Sequence, residues 1–311
     1  MFTTNFAVSP RLQTNLKRLL LNLGLVLGMG AVLLAIPILI LPHPGAAFDP
    51  NWGLAYDTRA YWLAAQHLIN GNPLYSLAGV SDLGAYKYPP IFAQIFIPAG
   101  YLPELVVAWV WRISGILCLR YLVGSWKAAL VACAFLPVLI ELGLGNVTLQ
   151  VAAVVLFALR DRRGAYLLPW AAALKFGPVL LVPYLWFCLP QARRPLIIGT
   201  LIFSLACLVS YLLAPAAWTG YLATFGWESS SVMNGPAVIA LVPAWGGLDF
   251  VLRFVLAGLV VLYATYRGKA WLAYAAAVLT CPILAIWRLA PLVGLWRFRS
   301  TKAPVLEKTK S

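Results

Sequence analysis

Charged side chains are scarce in this sequence. The 311 residues include 23 Lys and Arg and nine Asp and Glu, which make up 10% of the chain, whereas 62% of the residues are hydrophobic and the mean hydropathy is +0.86. Soluble domains are typically about 25% charged. A water-soluble fold could not cover this much apolar surface. The composition therefore excludes a soluble enzyme, a disordered protein and a disulfide-stapled secreted domain.

Metal ligands and the familiar catalytic motifs are also scarce or missing. The chain has two His and five Cys, and no two cysteines form a C-x-x-C pair. It contains no H-E-x-x-H motif, no G-x-S-x-G nucleophile elbow and no phosphate-binding loop. We therefore expect no cofactor and no divalent metal. The cysteines all lie in apolar runs and are interpreted as small buried hydrophobic residues.

What the sequence has instead is a succession of long apolar runs. They predict an all-α, polytopic membrane bundle with about 8–11 membrane segments, some of them short or broken. The run Leu19–Leu41 follows three basic residues and predicts a retained first membrane helix; a signal peptide cleaved near Gly45 is the alternative. We expect residues 1–300 to form a single membrane domain and residues 301–311 a cytoplasmic tail.

Small basic clusters separate the apolar runs. They occupy residues 11–18, 160–163, 193–194, 267–269 and 297–310. Such clusters mark the cytoplasmic side of a cell-membrane protein, which places the loop from His43 to Lys87 on the extracytoplasmic side. Because the basic residues do not form one face with interleaved aromatic residues, we expect no nucleic-acid partner and assign membrane lipids as the surroundings.

Two apolar segments begin and end beside such clusters. Gly164–Leu189 carries the sequence from Lys175 to Pro178 in its middle, and Trp271–Leu295 carries Arg288. Both ends of each segment stay on the cytoplasmic side if the segment is a broken hairpin, and Gly and Pro favour such a break. Single full crossings are the alternative, since the charge rule is a bias.

The extracytoplasmic loop contains a predicted interfacial helix over residues 57–70. Apolar residues from Tyr61 to Leu68 recur at three- and four-residue spacing, and Gly71 follows as a stop signal. Asp57 begins this helix. Its carboxylate is either an N-cap or a functional acid, and position alone leaves both open.

Isolated cations in apolar segments are further candidates for function. Lys175 has no charged neighbour nearby in the sequence, and a buried ammonium needs an anionic partner. Arg288 raises the same question, although its long side chain could instead reach the membrane surface. Lys87 and Tyr88 suit a membrane boundary on composition alone. The acids that could face the extracytoplasmic side are Asp57, Asp82, Glu141 and Glu228.

Several short motifs together resemble a known enzyme family. They are Asp57-x-x-x-Tyr61, Gly71-Asn-Pro-Leu-Tyr75, Tyr86-x-Tyr88-Pro-Pro, Gly145-Asn146-x-x-x-Gln150 and Ala173-Leu-Lys175-Phe-Gly-Pro178. In combination they resemble the polyprenol-phosphate-mannose-dependent α-mannosyltransferases of the GT-C superfamily, over about residues 10 to 195.

The resemblance implies a membrane glycosyltransferase that works at the extracytoplasmic face. It would transfer a hexose, with mannose as the expected sugar, from a polyprenyl-phosphate sugar to a glycolipid or glycan acceptor. The transfer would invert the configuration of the anomeric carbon. Asp57 would be the catalytic base. The residues implied in substrate binding are Tyr61, Lys87, Tyr88, Asn146, Gln150, Lys175, Glu228 and Arg288.

The residues fit this chemistry independently of the resemblance. The leaving group is already an anion, so transfer needs one base for the acceptor hydroxyl and cations that hold the phosphate. A transporter or flippase for an anionic or lipid-linked substrate is the alternative, because transporters also place ionisable groups in broken helices. A non-catalytic assembly subunit is a third interpretation. Asp57 favours the enzyme, since a transporter has no special need for an acid in an external loop.

Overall fold

A computed structural model describes residues 56–75, 86–224, 246–280 and 286–299. Regular structure in these residues is entirely helical. The α-helices are α1 Tyr56–Ile69, α2 Pro90–Ile95, α3 Ile97–Gly100, α4 Glu104–Val123, α5 Trp126–Cys133, α6 Leu136–Leu144, α7 Thr148–Arg160, α8 Leu168–Leu174, α9 Val182–Cys188, α10 Arg193–Leu213, α11 Pro215–Ala223, α12 Gly246–Arg267, α13 Ala270–Leu279 and α14 Trp296–Arg299. Four 3-10 segments lie between them, at Arg162–Tyr166, Gly177–Leu181, Pro190–Ala192 and Ile286–Leu295.

Several helices are long and apolar enough to cross a membrane. In the described residues they are Glu104–Val123, Pro190–Leu213 and Phe250–Arg267, and the bent pair α5–α6 can form one more broken span. Large apolar side chains such as Leu201 and Leu205 are more than 60% exposed on α10, as lipid-facing residues would be. The prediction of a polytopic helical membrane protein is confirmed. The predicted first helix, Leu19–Leu41, lies outside the described residues.

One apolar run of the sequence is broken in the structure. The apolar stretch from Ala128 to Ile140 is divided between α5 and α6, which are bent by 94°. The physical reason is Pro137, which lies in the first turn of α6, where its missing N–H and fixed φ favour a helix start. The residues from Glu141 to Leu144 complete α6.

The two ends of each predicted hairpin meet in the structure. In the first, α8 ends before Lys175, which is extended (φ −145°, ψ 126°), and the 3-10 segments Arg162–Tyr166 and Pro190–Ala192 contact each other at its two ends. In the second, α13 packs against the 3-10 segment Ile286–Leu295, and the Tyr274 hydroxyl donates to the Pro291 carbonyl at 2.7 Å. Residues 281–285 lie outside the described part.

Helix α7 lies at the centre of the core. Its side chains Ala152, Val155 and Leu156 are completely buried, and it contacts α4, α8, α13 and both hairpins. A helix of 13 residues is about 20 Å long, less than a bilayer core of about 30 Å. The surrounding helices therefore bury α7, and its N-terminal end at Thr148 lies inside the protein.

The predicted loop helix is α1. It spans Tyr56–Ile69, within one residue of the expected range, and packs on α2, α3 and α4. Trp62 Nε1 donates to the Leu102 carbonyl at 3.0 Å, and Tyr61 and Ala64 are buried beneath the helix. Asp57 is the second residue of α1 and lies inside its first turn. The N-cap interpretation of Asp57 is therefore wrong in this structure.

Candidate active site

The carboxylate of Asp57 is held by the turn between α6 and α7. Asn146 Nδ2 donates to Asp57 Oδ2 at 2.5 Å, across 89 residues of sequence. Next to it, the buried Thr58 hydroxyl donates to the Gly145 carbonyl at 3.1 Å. Consecutive residues of α1 thus bind consecutive residues of the turn. This pairing fixes the direction of the Asp57 side chain.

Gly145 explains why the turn exists. It caps α6 with a positive φ of 66°, a left-handed conformation that favours glycine because a Cβ is strained there. The cap ends α6 and redirects the chain, so that Asn146 lies in the turn between α6 and α7. In the predicted polar motif, Gly145 therefore forms the turn and Asn146 supplies the amide that binds Asp57.

Replacing Gly145 with Ala tests whether the turn positions Asn146 in addition to stabilising the fold. We expect a loss of about 1–2 kcal/mol in unfolding free energy from left-handed strain and, because the turn carries Asn146, a loss of roughly tenfold in transfer rate. Gly268→Ala is the matched control, since Gly268 also has a positive φ (61°) and lies between α12 and α13. Thermal unfolding should show similar losses for both variants. Equal transfer rates in the two would contradict a positioning role for the Gly145 turn.

Arg288 binds the other side of the same amide. Its Nη1 donates to Asn146 Oδ1 at 2.6 Å and to Thr148 Oγ1 at 2.5 Å. The Thr148 hydroxyl in turn donates to Asn146 Oδ1 at 2.8 Å. The amide therefore presents its N–H to an acid and its oxygen to a cation. Asn146, only 4% exposed, joins Asp57 to Arg288.

Lys175 is joined to α1 through two tyrosines. Its Nζ donates to the Tyr88 hydroxyl at 3.2 Å and lies 5.3 Å from the Tyr88 ring centroid. The Tyr88 and Tyr61 hydroxyls are 3.3 Å apart. Burial, followed by the nearby Tyr88 and Asp57, raises the pKa of Tyr61 well above its ordinary value. The Tyr61 hydroxyl therefore stays protonated and can donate.

Both cations line one small cavity. Its wall includes Lys175, Arg288, Thr148 and Thr280, and apolar residues of α7 and α13 complete it. Gly177 lets the first hairpin approach α13 closely, since a Cβ there would collide with the Ala277 carbonyl. The ammonium, the guanidinium and the hydroxyls that line the cavity are groups that bind anions.

Tyr61 is also the centre of an aromatic group. The centroids of Tyr88, Phe96 and Trp111 lie 5.4, 5.7 and 5.3 Å from its ring, with interplanar angles near those of edge-to-face pairs. These contacts join α1 to α2 and α4. They hold the helix that carries Asp57 against the membrane-spanning part of the protein.

The other predicted site residues have different outcomes. The Gln150 amide nitrogen faces the turn between α6 and α7 and donates to the Asn146 carbonyl at 3.1 Å. The amide oxygen accepts from the Ser114 hydroxyl at 2.9 Å, so Gln150 stabilises the turn. Lys87 is exposed beside Tyr88, and its role in the site stays a prediction. Glu228 and Asp82 lie outside the described residues.

Sequence reasoning did not assign two residues of this network to the site: it did not name Thr148, and it named Glu141 only among the acids that could face the extracytoplasmic side. Thr148 and Glu141 are 5% and 1% exposed, and the Thr148 backbone N–H donates to Glu141 Oε1 at 3.2 Å. An acid in an apolar run, followed shortly by Gly145 and Asn146, was the available signal for Glu141. In the described part of the chain, no group of three or more His, Cys, Asp or Glu could hold a metal ion.

One comparison with known proteins gives a family. Residues 86–300 match the family model described as glycosyltransferase family 87. The matched region contains Tyr88, Asn146, Lys175 and Arg288 and begins after Asp57. No curated protein and no solved structure matches the chain.

Proposed function

The chain belongs to glycosyltransferase family 87, and from this membership we propose that it transfers a hexose from a polyprenyl-phosphate sugar to a glycolipid or glycan. Mannose is the proposed hexose, and the extracytoplasmic face of the cell membrane is the proposed place of reaction. One observation carries the proposal: the Asn146 amide joins the Asp57 carboxylate to the Arg288 guanidinium beside a cavity that Lys175 also lines.

The cavity is the proposed site of the donor phosphate. Lys175 and Arg288 supply two positive charges there, and the Thr148 hydroxyl supplies a further polar contact. When the bond to the sugar breaks, its electron pair stays on the phosphate oxygen. Cations already in place stabilise that charge with no reorganisation. The apolar helices around the site suit the isoprenoid tail.

Asp57 is the proposed general base. The acceptor hydroxyl oxygen forms the new bond to the anomeric carbon, the bond from that carbon to the phosphate oxygen breaks, and the hydroxyl proton moves to Asp57. Since Asn146 engages Oδ2, we assign the proton to Oδ1. A single displacement of this kind inverts the anomeric configuration. The family match favours this transfer over the transport alternative.

A direct assay tests the proposed function. Purified protein, incubated with polyprenyl-phosphate mannose and candidate glycolipids, should yield an acceptor heavier by one hexose together with polyprenyl phosphate. Mass spectrometry detects both products. Transfer from a sugar nucleotide under conditions where the polyprenyl-phosphate sugar is inert would overturn the donor assignment, since the two cations are proposed to bind a lipid phosphate.

A further inference from the structure

Glu141 is a buried acid that the proposed reaction does not use. It is 1% exposed near the end of α6, and its Oε1 accepts from the Thr148 backbone N–H at 3.2 Å. The Thr148 hydroxyl accepts from Arg288 at 2.5 Å. Only one residue therefore separates the Glu141 carboxylate from a cation of the proposed phosphate site.

The surroundings of Glu141 supply compensating positive charge. One source is the Arg288 guanidinium, which donates to Thr148, the residue whose backbone N–H binds the carboxylate. The N-terminal end of α7, where Glu141 Oε1 binds, adds a positive partial charge. Within the described residues, Oε2 has no hydrogen-bond partner.

The charges of donor and product differ in the proposed reaction. A polyprenyl-phosphate sugar is a phosphodiester with one negative charge, whereas the released polyprenyl phosphate is a monoester whose second pKa is about 6. The product therefore approaches a charge of −2 above neutral pH. A site with two uncompensated cations would hold the product more tightly than the donor and would release it slowly.

We propose that the Glu141 carboxylate offsets the charge of one cation in the site. It thereby favours release of the doubly charged product over release of the singly charged donor. This inference rests on the proposed function. Coulombic energy is proportional to charge, so the Glu141 carboxylate opposes a dianion about twice as strongly as a monoanion. Its removal should strengthen the binding of both anions and of the dianion more.

The test compares two probes that differ by one charge. A short isoprenyl phosphate and its methyl ester are titrated at pH 8 into wild-type protein and into Glu141→Gln, which keeps an oxygen acceptor for Thr148. We expect the preference for the dianion to rise on the order of tenfold in Glu141→Gln, the effect of one unit charge at moderate distance. Inhibition of transfer by polyprenyl phosphate should strengthen in parallel.

Matched variants separate charge from structure. Glu141→Asp keeps the charge, and Glu104→Gln removes the charge of a partly exposed acid that pairs with Arg59 at 3.7 Å; both should keep the wild-type preference. Glu141→Met supplies a second neutral side chain should the Gln variant lose its fold. An unchanged preference in folded neutral variants overturns the role of Glu141 alone. Failure of wild-type protein to bind either probe overturns the phosphate site, and the proposed function with it.

Discussion

Replacing Asp57 with Asn is expected to slow sugar transfer by about 10²–10⁴-fold, the usual contribution of a general base. The amide oxygen of Asn can still accept the hydrogen bond that Asn146 donates to Asp57 Oδ2 at 2.5 Å. An amide cannot usefully take the proton of the acceptor hydroxyl. The variant therefore removes basicity and keeps shape, and initial rates at saturating donor and acceptor measure its effect.

The control for this variant is Asp161→Asn. Asp161 follows α7 at the end opposite to Thr148, and its side chain accepts from the Arg163 N–H at 2.8 Å, a bond that Asn can also accept. Because Asn keeps an oxygen acceptor for the hydrogen bond at each position, both variants should unfold within about 1 kcal/mol of the wild type. If Asp57→Asn transfers sugar as fast as Asp161→Asn, Asp57 is structural and the base lies elsewhere.

Replacing Lys175 with Met should weaken donor binding by about 10- to 100-fold, the range for loss of a hydrogen bond to a charged group. Met retains an unbranched apolar stem in a segment that is otherwise apolar. It removes the ammonium that contacts Tyr88 at 3.2 Å and lines the cavity shared with Arg288. Equilibrium binding of a non-transferable donor analogue to purified protein gives the change in affinity.

Lys127→Met is the matched control for Lys175. Lys127 is exposed on α5, in a helix that does not line the cavity. The same loss of charge there should leave donor affinity within twofold of the wild type, about the size of a surface charge effect. Wild-type donor affinity in a well-folded Lys175→Met protein would remove Lys175 from the phosphate site.

The membrane fold could be predicted because it depends on composition and on local patterns. Helix α1 is within one residue of the predicted helix. The charge clusters predicted both hairpins, since they constrain where segment ends lie. The bend of 94° between α5 and α6 was missed because apolar content alone does not show where Pro137 starts a new helix.

The site could be predicted in parts but not as an arrangement. Motifs identified Asp57, Asn146, Lys175 and Arg288 as candidates. Their pairing depends on contacts over long sequence separations, 89 residues from Asp57 to Asn146 and 142 from Asn146 to Arg288. A hydrophobic period places a residue on a helix face but does not say which distant residue faces it. Glu141 was missed as a site residue for this reason.

The most direct test of the proposed roles, Asp57 as the base and Lys175 as a ligand of the donor phosphate, measures two quantities in the same two variants. Donor affinity and the single-turnover rate at saturating donor are determined for Asp57→Asn and Lys175→Met. We predict that Asp57→Asn keeps wild-type donor affinity and loses most of the rate, whereas Lys175→Met loses donor affinity by at least tenfold. Equal losses of affinity in both variants, with no separate loss of rate in Asp57→Asn, would contradict a base on α1 and a phosphate site at the first hairpin.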